Sequence, residues 1–169
     1  MFTENYIEMR RSFFVATSSN NSVWLTADTG STVTTTVAAL SAVDLGAFWD
    51  CVRCGNPSTA KYSGIYLGTG TTPPQKSDYK LEAVIASGLS ISNGRRLFLD
   101  EGNGKYSYSA QAVVKNTSGA DITITEMGYY GYLSVGAILF ERRVLDNPIT
   151  IKAGESKLLT NKITFNQSQ

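Results

Sequence analysis

Apolar and polar side chains alternate with a period of two through most of the chain beyond residue 60. Tyr106, Tyr108, Ala110, Ala112 and Val114 interleave with Lys105, Ser107, Ser109, Gln111 and Lys115, and only Val113 interrupts the polar set. Successive strand side chains point to opposite faces, so this pattern predicts a strand with one buried face and one wet face. Ile122 and Ile124 alternate with Thr123 and Thr125, after the turn-forming run from Asn116 to Asp121. Further strands are expected at Gly64 to Gly68, Leu81 to Leu89, Arg96 to Leu99, Ala137 to Leu145, Ile149 to Ile151 and Leu159 to Phe165. Asp146-Asn147-Pro148 should separate two of these, and Lys152 to Glu155 should turn the chain into the last. Roughly seven or eight short strands, with a turn signal about every 8 to 12 residues and no helical crossovers, predict an all-β fold: an antiparallel β-sandwich or jelly roll.

The first sixty residues follow a different pattern. A short helix is expected at Glu4 to Phe14, then a stretch rich in Ser, Thr and Asn through Thr36, then an apolar run from Val37 to Trp49. Apolar residues at 37, 40, 43 or 45, and 48 would form a helical stripe, yet Val33 to Val37 is rich in β-branched residues, so helix and strand both remain open. This shift divides the chain into an N-terminal arm or assembly segment, residues 1–60, and a β-sandwich domain, residues 61–169. Leu40, Leu45, Phe48 and Trp49 would make an apolar patch on a lone subunit, of the kind that marks an interaction surface. They are therefore candidate interface residues.

Composition narrows the function. The 169 residues suffice for one compact domain, or a smaller one with an arm. Lys and Arg total 15 against 14 Asp and Glu, and basic residues are scattered apart from three Arg-Arg pairs, so no nucleic-acid partner is expected. Histidine is absent, which removes Ser-His-Asp and Cys-His machinery, His-containing zinc sites and the usual neutral-pH proton shuttle. No apolar run approaches the length of a membrane-spanning helix, and no membrane partner is expected. Met9-Arg10-Arg11-Ser12-Phe13-Phe14 has the twin arginines of an export signal but is followed by Thr, Ser and Asn instead of an apolar region, so it reads as a short amphipathic segment.

Candidate chemistry is sparse. Cys51-Val52-Arg53-Cys54 supplies at most two zinc ligands and lacks the βαβ context of a redox motif, so a pair of reduced thiols is expected and no metal or cofactor. Gly68-Thr69-Gly70 follows a strand, but Thr71-Thr72-Pro73-Pro74 stands where a phosphate-collecting helix should start, which argues against nucleotide binding. Asp100, Glu101, Glu126 and Glu141 could supply a glycosidase pair, a hydrolytic chemistry that needs no histidine. Among them, Glu126 shares strand parity with Ile122 and Ile124 and so should point inward, where an unpaired carboxylate is costly. A turn near Leu133 and Ser134 would place it opposite Glu141 or Arg142, and an ion pair with Arg142 or Arg143 is the expected resolution. Tyr129 and Tyr130, close to Gly128 and Gly131, would serve packing or subunit contacts in preference to stacking sugars or bases.

Three ordered stretches carry a resemblance. Gly64 to Glu82, containing Gly68-Thr69-Gly70-Thr71-Thr72-Pro73 and Asp78-Tyr79-Lys80-Leu81-Glu82, resembles a block of small virion structural proteins of tailed bacteriophages. Ile122 to Gly131 and Arg142 to Glu155 are similar to later blocks of the same family, in the same order. The resemblance covers the β-domain and implies a virion structural protein with no catalytic residues to carry over: a capsid decoration protein, a head fibre base, a neck component or a tail component. The leading expectation is a capsid decoration or head–neck accessory protein that forms a homo-oligomer, a trimer in the first instance, and docks on other virion proteins through its N-terminal segment, in a particle assembled in the bacterial cytoplasm. A tail tube or head–tail connector subunit, a carbohydrate-binding host-attachment module and a virion glycan hydrolase are the rival readings.

Overall fold

The computed structural model describes residues 1–4, 21–37, 64–103, 105–133 and 136–166. Among these the chain is all-β, with strands β1 (Asn21–Thr26), β2 (Thr32–Val37), β3 (Gly64–Gly68), β4 (Leu89–Gly102), β5 (Lys105–Asn116), β6 (Ile122–Leu133), β7 (Gly136–Ile151) and β8 (Ser156–Asn166). They form a β1-β2 hairpin and two three-stranded sheets, β3-β6-β7 and β4-β5-β8, and every pairing is antiparallel. The two sheets share one core, sandwich fashion. Ile65, Leu67, Ile124, Tyr129, Ile138 and Ile151 from the first meet Leu89, Ile91, Ala112, Val114 and Leu159 from the second. Each fully buried aliphatic side chain contributes on the order of 1.5–3 kcal/mol by leaving water, and this drives the two faces together.

Alternation accounts for one end of β5 and fails at the other. Ala112 and Val114 are buried while Val113 and Lys115 are exposed, as a period of two requires. Ser107 and Ser109, expected on the wet face, are both buried. Their side chains are short, and they are shielded by the longer Glu101 and Lys162, which form an ion pair. Ser107 Oγ donates to Glu101 Oε1 at 2.8 Å.

Two expected strands take other forms. Leu81 to Leu89 is a loop that crosses the sheet; it touches the ladder only where Val84 bridges Gly68, and β4 starts at Leu89. The reason lies in its backbone: the N–H groups of Glu82 and Ala83 donate to the Glu126 side chain instead of to a neighbouring strand. Ala137 to Leu145 and Ile149 to Ile151 are one strand, β7. Between the pairs Ile124↔Ile149 and Glu126↔Val144, Thr125 alone faces the stretch Leu145 to Pro148, so Asp146-Asn147-Pro148 bulges without ending the strand. Proline has no N–H to donate, and here the ladder is already open.

The compositional break near residue 60 is not a break in the core. Leu25 and Ala27 are buried in the same cluster as both sheets, and Phe2 and Val33 pack against it. Gly30, at φ 83°, lets the chain reverse between β1 and β2, and Asp28 N then donates to Ala137 O at 3.0 Å. Residues 1–4 run beside β7, where Thr3 N donates to Phe140 O and Arg142 N donates to Met1 O, both at 3.0 Å. Leu40, Leu45, Phe48, Trp49, Cys51, Cys54 and the helix expected at 4–14, beyond Glu4, lie outside the described residues.

Candidate functional site

The register slip between β6 and β7 creates the site. Ile124, Met127 and Tyr129 all belong to the core, so strict alternation breaks once between Ile124 and Met127. Glu126 is therefore not on the core face with Ile122 and Ile124, as simple parity required. It points to the other face of the sheet, the one shared by Tyr130 and by its cross-strand partner Gly68. It sits opposite Val144, not Glu141 or Arg142, and Arg142 lies two positions along, opposite Gly128.

The structure brings Glu126 and Arg142 together. Glu126 is fully buried and Arg142 is 3% exposed, and Arg142 Nε donates to Glu126 Oε1 at 2.5 Å. Glu82 N donates to the same oxygen at 2.9 Å, and Ala83 N to Oε2 at 3.2 Å. The rest of the guanidinium reaches the loop: Nη1 donates to Asp78 Oδ2 at 2.8 Å, and Nη2 to Thr72 O at 3.0 Å and Glu82 Oε2 at 3.3 Å. Glu82 in turn accepts from Thr71 N and Thr72 N at 2.9 Å each, and from Thr72 Oγ1 at 2.7 Å. One cation and three carboxylates thus hold the loop of residues 69–88 on the outer face of the sheet.

Charge and burial oppose each other here. Burial disfavours the Arg142 charge, but hydrogen bonds to Asp78 and Glu126 outweigh it and hold its pKa above the ordinary value. Glu82 is held below the ordinary carboxylate range, first by the Thr72 hydroxyl and then by backbone N–H groups. Beneath the loop, Leu81, Tyr130, Ala137 and Leu139 form a small apolar cluster with Tyr66 against it. The Tyr66 and Tyr130 rings lie 4.6 Å apart at 51°, and Leu81 N donates to Tyr130 Oη at 2.8 Å. Burial pushes the Tyr130 hydroxyl well above its ordinary value.

Gly68 and Gly70 make the close approach possible. A Cβ on Gly70 would stand 2.7 Å from Glu126 Oε2 and from Glu82 Cβ, and one on Gly68 would stand 2.6 Å from Ala83 O. The glycine-rich turn therefore makes room for the protein's own carboxylates, which take up neighbouring N–H groups that a phosphate-binding loop would aim at its ligand. Gly70→Ala should lower stability by about 1–3 kcal/mol through overpacking, measured by urea unfolding; an unchanged midpoint would mean the loop can shift freely.

The other sequence candidates are placed elsewhere. Tyr129 is 1% exposed and Tyr130 3%, so neither offers a platform for sugars, and both serve packing within the chain. Glu141 is buried on the far side of β7, accepting from Arg143 Nη2 at 2.7 Å and from Asn161 Nδ2 at 3.1 Å. Glu101 is on β4, held below its ordinary value by Lys162 and then Ser107. These carboxylates are spoken for one by one and are not assembled into a pair. Among the described residues, no group of three or more His, Cys, Asp or Glu is placed to hold a metal ion, and no helix is long and apolar enough to cross a membrane.

Thr72, Asp78 and Glu82 were not singled out by sequence reasoning, although a signal existed. A buried Glu126–Arg142 pair leaves guanidinium N–H groups unsatisfied and calls for more acceptors, and the Asp78 and Glu82 carboxylates in one glycine-bounded loop were the available supply. No protein-family description, curated protein or solved structure matches the chain.

Proposed function

We propose that the chain is a structural protein of a tailed-bacteriophage particle, an accessory capsid or head–neck component that works by self-association and docking. One observation carries this reading: the three stretches that bear the resemblance converge on a single place. Thr72, Asp78 and Glu82 come from the first stretch, Glu126 from the second and Arg142 from the third, and all five join one hydrogen-bonded lattice. Glu155, closing the third, does similar work in its own turn, accepting from Lys152 N at 2.8 Å through its side chain and from Asn116 N at 2.9 Å through its carbonyl. Motif residues that spend their hydrogen bonds on fastening a loop to a sheet suit a scaffold.

The test is mass spectrometry of gradient-purified particles from lysates of the source strain, paired with sedimentation equilibrium of the purified chain. The chain should travel with the particles in fixed ratio to the major capsid protein and form a threefold oligomer. Six- or twelvefold rings would move the assignment to the tail tube or connector, and absence from particles would overturn the reading.

A further inference from the structure

We infer that the loop of residues 69–88 is an acid-released strap, a unit that detaches from the sheet while the sandwich stays folded. The inference does not depend on the virion reading. Its first support is how the loop is held. Backbone pairing fastens it beside the end of β3, where Thr69 N donates to Ala83 O at 2.8 Å and Ile85 N to Leu67 O at 2.9 Å, and at two single points, Lys76 O accepting from Glu4 N and Gly88 O accepting from Thr117 N, both at 2.8 Å. Between those points the attachments run largely through ionisable side chains: Arg142 on β7 to Asp78 and Glu82, and Glu126 on β6 to the N–H groups of Glu82 and Ala83. The second support is what lies beneath. The strap's own Leu81 completes the small cluster with Tyr130, Ala137 and Leu139, while the main core lies on the opposite face and takes from the strap the half-buried Ile85 at its edge, its fully buried members coming from the strands and the β1-β2 hairpin.

The charge balance sets the direction. Three carboxylates surround one guanidinium; the Tyr130 hydroxyl on β6, itself within reach of Asp28 in the β1-β2 turn, faces Glu126, the Met1 amino group faces Asp78 and Arg142, Lys76, Tyr79 and Lys80 belong to the strap itself, and Glu141 and Arg143 lie on the other side of β7. Protonating a carboxylate removes its attraction for Arg142 and its capacity to accept from two N–H groups at once. Glu82, 41% exposed, is reached first by solvent, and its carboxyl is held below the ordinary value of 4.5. A depressed carboxylate contributes stability that is present above its unfolded value and is lost as pH falls through its folded value, so release begins below about pH 4.5.

The experiment is amide hydrogen exchange on the intact chain from pH 7 to pH 3, corrected for intrinsic rates. Peptides spanning 69–88 should lose protection by about tenfold per pH unit per carboxylate protonated, while β5 and β6 peptides hold theirs. Glu82→Gln, at an accessible position that leaves the cores intact, should raise strap exchange at pH 7 and flatten its pH dependence. If strap and β6 peptides exchange together at every pH, the strap is not a separate unit and the inference fails. It fails equally if Glu82→Gln matches the wild-type profile.

Discussion

Arg142→Met should destabilise the protein by about 3–5 kcal/mol, the range for removing one partner of a buried ion pair. Methionine fills much of the same volume, so the loss comes from charge and not from a cavity. Glu126 would be left fully buried beside Asp78 and Glu82 with no cation between them, and Thr72 O would lose its donor. The remaining Glu126 partners are two backbone N–H groups, which leave the buried charge without a counter-ion. Denaturant unfolding of Arg142→Met and of Arg142→Met with Glu126→Gln would separate the terms. The double variant should recover a large part of the loss, because a neutral amide no longer needs the guanidinium. A single variant within about 0.5 kcal/mol of wild type would show that water reaches Glu126 and that the lattice is ornamental.

The sequence made some of this legible and hid the rest for identifiable reasons. Period-two alternation located the cores of β5 and β6, because packing on one face imposes that period, and the wider strand reading placed β3 to its end residues and the core of β8. Alternation misjudged Glu126, since the buried phase of β6 changes between Ile124 and Met127, and the adjacent apolar residues Tyr129 and Tyr130 fit either phase until the register with β7 decides between them. The same cause hid the burial of six consecutive residues from Ala137 to Arg142: Phe140 is an extra residue between Tyr129↔Glu141 and Tyr130↔Leu139, and both faces of the sheet are covered there. Asp78 and Glu82 stayed hidden because their partner lies more than fifty residues away, and only the folded topology puts them in reach. The likeness of Leu81 to Leu89 to a strand misled for a further reason. Its apolar residues include Leu81, which is buried in the small cluster under the strap and not in a ladder.

A chain beginning at Tyr62 should fail to fold cooperatively. The division by composition near residue 60 implies the opposite, an autonomous sandwich with a dispensable arm, but Leu25 and Ala27 are 1% and 3% exposed within the shared core. Truncating a buried leucine to alanine removes about 2–5 kcal/mol, and the deletion takes Leu25 whole together with Ala27 and the packing of Phe2 and Val33. It also removes the donors and acceptors that residues 1–4 supply to Phe140 and Arg142. Domain stabilities lie at about 5–15 kcal/mol, so these losses together are of the order of the whole. The truncated chain should therefore be insoluble, or unfold without a sharp transition by near-ultraviolet circular dichroism. Leu25→Ala in the full chain separates a core role from an interface role. If Leu25 supports the subunit's own core, its melting temperature falls and the decrement is the same at every protein concentration. A decrement that grows on dilution would mean that the residue acts between subunits, because only association is governed by mass action. A soluble, cooperatively unfolding chain from Tyr62 onward would show that the two sheets close their core without the hairpin, and would restore the arm as a separate device for assembly.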